Sequence, residues 1–103
     1  MRRSEAKGTA ARTAVVFTAL AHASRREILL VLNFHGGRMT AGEIAERFAC
    51  RWPTTTRHLR VLEQAGLVRV RKVGRTRVYQ LQSADLRKSI ETWLQWFRPG
   101  RPA

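Results

Sequence analysis

The sequence predicts a small, mainly α fold with one β-hairpin, arranged as a helix-turn-helix followed by a wing. Three observations predict it. Two short amphipathic segments, Thr40 to Phe48 and Pro53 to Ala65, succeed each other across a break at Ala49, Cys50 and Arg51. The second leads into two stretches that alternate apolar with basic or polar residues, Leu67 to Val73 and Arg77 to Leu81, the period of a strand pair. The charge is also uneven: 20 Lys and Arg stand against 7 Asp and Glu in 103 residues, a net +13. From Arg47 to Gln82, nine basic residues oppose Glu63 alone, a net +8 on the segment that would face a partner.

Composition bounds the alternatives. An apolar fraction of 44% in 103 residues allows one globular core and no second domain, and it does not fit a disordered basic tail. A folded domain this basic meets a polyanion, with nucleic acid ahead of a membrane surface. The single cysteine, Cys50, makes an intrachain disulfide or a cysteine-only metal site impossible. The apolar run Ala14 to Ala21 falls far short of the roughly 20 residues a membrane span needs. Arg2, Arg3, Lys7 and Arg12 before that run, and Ala21-His22-Ala23 after it, sketch a signal peptide. The next residues, Ser24-Arg25-Arg26-Glu27, read instead as a helix start, so a cytoplasmic protein is expected. There is no phosphate-cradling glycine loop, no paired carboxylate motif and no nucleophile beside a base, so neither an enzyme nor a cofactor is expected.

The elements follow in order. Residues 1–11 read as a flexible basic arm, 12–98 as the folded domain and 99–103, with Pro99, Gly100 and Pro102, as a disordered tail. Val15, Val16, Phe17 and Leu20 give a short helix from Arg12 with a broad apolar surface. Ser24 with Glu27 suggests a capping box opening a second helix, largely buried through Ile28 to Leu32 and stopped by Gly36-Gly37. Thr40 with Glu43 suggests another, opening the helix in which Ile44, Ala45 and Phe48 share a face. Pro53 fits the first turn of the next helix, Leu59 and Leu62 point inward, and Gly66 is a left-handed cap. In the hairpin, Val68, Val70, Val78 and Leu81 supply packing surface while Arg69, Arg71, Lys72, Arg75 and Arg77 face outward. Ser83 is expected to cap a last helix whose apolar stripe runs through Leu86, Ile90, Trp93, Leu94 and Phe97, widened by Trp96.

In this motif class the second helix enters the major groove by its N-terminal end. Arg51, Thr54, Thr55, Thr56, Arg57 and His58 are therefore the candidates to read or flank bases, Arg57 by addressing guanine O6 and N7. Arg60, Lys72, Arg75 and Arg77 are the candidates for phosphate or minor-groove contacts. His58 is as well placed to support the fold as to touch DNA. The first and last helices carry more apolar surface than one small domain hides, which makes Val16, Phe17, Leu20, Ile90, Trp93, Leu94, Trp96 and Phe97 a candidate dimer interface.

The runs ALAHASRREILLVL (Ala19 to Leu32), PTTTRHLRVLEQAGLV (Pro53 to Val68) and RKVGRTRVYQL (Arg71 to Leu81) resemble the ArsR-type winged helix-turn-helix repressors. The ending LRKSIETWLQWF (Leu86 to Phe97), with MTAGEIAERF (Met39 to Phe48), is most similar to the short SdpR-like autorepressor branch. The resemblance covers about nine tenths of the chain, and the combination RHLRVLEQAGLV plus GRxRxYxL is fairly specific. It implies a homodimer formed by the first and last helices that binds an imperfect palindrome and represses transcription. Departures exist: the common Asp-Pro-Thr before the second helix is His22-Ala23-Ser24, and the usual Ser-Gln before the recognition-helix proline is Arg51-Trp52.

The positions matching the family's thiolate metal site are Thr40 and Gly42, and its last-helix Asp-x-His pattern is here Asp85-Leu86-Arg87. No conventional metal site is expected. His22, His35 and Cys50 lack ligand spacing. The expected partners are double-stranded DNA and a second copy of the chain, with no membrane, and an inducer or regulatory partner is not readable. Two other readings stay open: a winged-helix protein-interaction module and a non-specific nucleic-acid-binding protein.

Overall fold

Five helices pack around one edge-to-edge sheet in the computed structural model, which describes residues 3–48 and 52–97. In chain order they are α1 (Arg3–Leu20), α2 (Ala23–Phe34), β1 (Arg38–Thr40), α3 (Ala41–Arg47), α4 (Trp52–Gln64), β2 (Val68–Val73), β3 (Thr76–Leu81) and α5 (Ser83–Leu94), closed by a 3-10 turn over Gln95–Phe97. The helix expected from Arg12 begins at Arg3, so residues 3–11 of the segment expected to be an arm have helical backbone. Its Ala, Glu and Lys residues favour helix even without an apolar stripe. Cys50, Arg51 and the tail from residue 98 onward lie outside the described residues.

The start of α2 corrects the expected Ser24–Glu27 capping box. His22 is the N-cap, with extended backbone (φ −101°, ψ 126°), and its Nδ1 accepts the Ser24 N–H at 3.2 Å. The cap thus precedes Ser24, which lies inside the first turn. Arg25 and Arg26 in that turn reach back to α1, whose last carbonyls lack helical partners. Arg25 Nε donates to Ala19 O at 2.7 Å and Arg26 Nη1 to Leu20 O at 2.7 Å. The helix is less buried than its apolar run suggested: Ile28, Leu29 and Leu32 are inside, but Leu30 and Phe34 are exposed. Gly36 and Gly37 end it with φ of 78° and 89°, a conformation most side chains avoid.

The sheet has three strands in the order β1-β3-β2, all antiparallel, where a two-stranded hairpin was expected. The added strand is three residues long, with Met39 opposite Tyr79 and 2% exposed. The register also corrects the packing face of the wing. Val68 pairs with Leu81 and Val70 with Tyr79, so these four share the inward face, whereas Val78 pairs with Arg71 on the other. Tyr79, not Val78, is the buried residue of β3.

The core that holds the site joins α2, α3, α4 and the sheet through Leu32, Ile44, Leu59, Leu62 and Leu67, each fully buried. Burial of one leucine side chain contributes about 1.5–3 kcal/mol. Val16 and Ala19 attach α1 to this core. Val16 is 4% exposed, which removes it from the expected dimer surface: its neighbours are within its own chain. Ser83 does not cap α5, whose N-cap is Gln82 without a side-chain bond.

Candidate nucleic-acid interface

The orientation of α4 follows from its neighbours in sequence. Thr40 caps α3 through its hydroxyl, which accepts Glu43 N–H at 3.1 Å, while Glu43 Oε1 accepts Thr40 N–H at 2.9 Å. The bonds from Thr40, backbone first and side chain second, hold the Glu43 carboxyl below its usual value. At the other end of the motif Gly66, at φ 76°, closes α4: Gly66 N–H donates to Glu63 O and Leu67 N–H to Leu62 O, both at 3.0 Å, the two bonds of a Schellman cap. Between these fixed points Leu59 and Leu62 anchor the inward face.

The phase set by those leucines sorts the candidate readers. Residues one turn before them are Thr55 and His58, which are 1% and 5% exposed and pack inward. Both are thus turned into the protein's own interior, away from the exposed side of α4 on which base contacts were expected. Thr54, Arg57 and Arg60 form the exposed stripe of α4. Thr56 is intermediate: its Oγ1 is covered and meets no hydrogen-bond partner among the described residues, so its hydroxyl does not point to solvent.

The wing carries Arg69, Arg71, Lys72, Arg75 and Arg77, all exposed. Gly74, at φ 62°, and Arg75 form the two-residue turn, with the φ signs of a type II′ turn, so Arg75 sits at the tip. Lys72 is directly opposite Arg77. That pair lies on the same face as Val70 and Tyr79, and with Thr56, Arg60 and Glu63 of α4 it lines a cavity of about 370 Å³ between helix and wing. Arg69 and Arg71 project from the other face of the hairpin. None of these cations has a carboxylate partner, for the one ion pair among the described residues is Arg87 with Glu91 on α5. Like charges directly opposite on a ladder repel, and three cations line the groove against Glu63 alone, so it keeps a net positive charge that a polyanion would neutralise.

Behind α4 is a cluster that sequence reading missed. Arg25 Nη1 lies 3.3 Å from His58 Nδ1, and the His22 and His58 rings meet at a tilt of 53° with centroids 4.4 Å apart. The contact spans 33 residues, and no local pattern signals it. Burial first, then the positive groups His22, Arg25 and Arg57, hold the His58 pKa below its usual value. His35 stands apart, its Nδ1 donating to Val31 O at 3.0 Å. Among the described residues, no three His, Cys, Asp or Glu side chains gather as metal ligands.

On the far side of the molecule α5 buries none of its residues fully. Trp93 packs edge-on to Phe17 at 5.2 Å and against Phe97 at 4.8 Å. Trp93, Leu94, Trp96 and Phe97 are nevertheless 45% to 63% exposed, while Phe17, Leu20 and Ile90 are partly buried beside them.

Comparison with known proteins agrees with this geometry. A family described as "Helix-turn-helix domain" matches residues 20–71. The transcriptional repressor SdpR of Bacillus subtilis (strain 168) is 38% identical over 85 residues, covering 82% of this chain and 92% of SdpR. The solved ArsR-like transcriptional regulator from Rhodococcus sp. RHA1 superposes with a TM-score of 0.75 at 36% identity, covering 87% of this chain and 82% of that one. The chain belongs to the ArsR-type winged helix-turn-helix family. This ArsR-type protein is a DNA-binding transcriptional regulator. Another relative is the transcriptional activator HlyU of Vibrio cholerae serotype O1 (strain ATCC 39315 / El Tor Inaba N16961), 30% identical over 91 residues, covering 88% of this chain and 82% of HlyU. As the relatives are regulators, the ArsR-type chain is not read as an enzyme. No helix among its described residues is long and apolar enough to cross a membrane.

Proposed function

We propose that this ArsR-type regulator is a repressor that binds an imperfect palindrome as a homodimer and acts without a bound metal. The observation that carries the proposal is the outward stripe Thr54, Arg57 and Arg60 of α4, whose Arg60 lines one groove with Lys72 and Arg77 of the wing, three cations against the single carboxylate of Glu63. In the complex Thr54 and Arg57 address base edges, and Arg60, Lys72, Arg75 and Arg77 hold phosphates. Repression, rather than activation, follows the similarity to SdpR, a named repressor at 38% identity, against 30% for the activator HlyU.

The dimer is proposed on the exposed aromatic surface of α5 and the turn after it, with Phe17 and Leu20 of α1 beside it. A two-fold axis through such a self-complementary patch presents two copies of α4 to two half-sites, which is what a palindrome requires. Metal independence is supported by Thr40 and Gly42, which offer no thiolate, and by the absence of histidine after His58.

The test is selection of bound fragments from genomic DNA by the purified protein, first metal-free and then with zinc. Enrichment of one palindrome, unchanged by zinc and found upstream of the protein's own gene, is expected. Release of DNA by zinc overturns metal independence. Binding without an enriched sequence favours a non-specific nucleic-acid binder, and no DNA binding favours a protein-interaction module.

A further inference from the structure

His58 sits on the helix that carries the proposed base readers but turns away from them, into a contact that joins three helices. Arg25 Nε and Nη2 donate to the carbonyls of Ala19 and Thr18 at the end of α1, at 2.7 and 3.3 Å. Its Nη1 faces His58 Nδ1 on α4 at 3.3 Å. A guanidinium only donates, so His58 Nδ1 must be the bare nitrogen of a neutral ring, with the proton on Nε2. His22, the cap of α2, packs against that ring at a tilt, and its own Nδ1 is held as an acceptor by Ser24 N–H. One side chain thus ties the end of α1 to α4, and the tie requires an unprotonated His58.

We propose that Arg25 and neutral His58 form a joint that fixes α4 relative to the end of α1, and that protonation of His58 opens it, so that DNA binding weakens on acidification. Arg25 is a positioning residue in this scheme. The DNA-binding consequence rests on the function proposed above; the joint itself does not.

The surroundings leave a proton on His58 uncompensated. The end of α1 supplies only the Thr18 and Ala19 carbonyls, both already engaged by Arg25. The start of α2 brings His22 and Arg25, and α4 itself brings Arg57; each of these disfavours a charged ring, and no carboxylate acts on it. Protonated Nδ1 would point a donor at a donor, beside a cation, in a buried position. Because the folded His58 pKa is lowered, the native arrangement keeps its full stability above the ordinary histidine range. It loses stability as pH falls from that range toward the lowered value.

Charge alone predicts the opposite response. Acid adds positive charge to a chain of net +13, which strengthens attraction to DNA. The test is a titration of the full chain between about pH 7.5 and about pH 5.5, either side of the ordinary histidine value, at fixed ionic strength. Amide NMR signals of α4 and of residues 18–21 are expected to move together with one midpoint, following the His58 ring. Affinity for the duplex enriched by fragment selection is expected to fall with the same midpoint.

His58→Gln should flatten the acid loss. His22→Asn, which keeps a capping oxygen at an exposed site, should shift its midpoint upward by removing a neighbouring charge, and it tests the scheme if the buried variant does not fold. Ring titration without movement of α4, a wild-type affinity that rises in acid, or an His22→Asn midpoint that does not change would overturn the proposal. If no duplex is enriched at neutral pH, the function proposed above has failed, and the amide titration still decides the joint.

Discussion

Lys72 and Arg77 stand directly opposite each other on the wing, on the face that looks toward α4, with no carboxylate paired to either. Their repulsion is a cost in the free protein that a phosphate would relieve. Replacing either with alanine should therefore weaken DNA binding about equally across sequences and lower the salt slope by about 1, while leaving the melting temperature unchanged or slightly higher. Salt titrations and thermal melts of both variants check this. A lower melting temperature with an unchanged slope would make the pair structural.

Arg75 tests the wing tip separately. Arg75→Ala removes an exposed side chain in the turn, so stability should not change, but the salt slope should drop by about 1. An unchanged slope in a salt titration would take Arg75 off the phosphate list.

Arg57 and Thr55 are two residues apart on α4 yet should behave oppositely. Arg57→Ala is expected to cost about 1–3 kcal/mol of binding and to relax preference at one base pair, read by competition among point-substituted duplexes. Thr55→Ala, at a site 1% exposed, should lower stability without changing base preference. A Thr55 variant of normal stability with altered preference would mean that α4 is rotated when bound.

Removing Trp93 and Phe97 together tests the aromatic surface. The double alanine variant should sediment as a monomer where the parent sediments as a dimer, and should bind a full palindrome no better than a half-site. Dimeric sedimentation of the variant would move the interface elsewhere.

Leu62→Ala should destabilise the protein by about 2–5 kcal/mol, since the side chain is fully buried in the core. Denaturant unfolding measures this directly. A loss below about 1 kcal/mol would contradict the core as described.

The motif was legible because its signals are local. Thr40 and Glu43 are three residues apart, Gly66 must adopt a positive φ, and the alternation of β2 and β3 is set within a few residues. What was misread needed phase or distance. Leu59 and Leu62 already implied that Thr55 and His58, each four residues earlier, face inward, but their polar character drew them to the groove side. The strand β1 has three residues, too few to show alternation. Ser24 offered a good local cap, yet His22 took the place, its ring held against His58 by packing from a helix far along the chain. Val16 fell in an apolar run whose inner and outer faces only the packing of α1 distinguishes.

The most direct measurement of the central claim is the affinity of the purified protein for its selected palindrome against a scrambled duplex of equal length, at physiological salt with excess competitor DNA. The account predicts binding at least about 1,000-fold tighter to the palindrome, with two protein chains per duplex. Equal affinity for both duplexes, or one chain per palindrome, would contradict it.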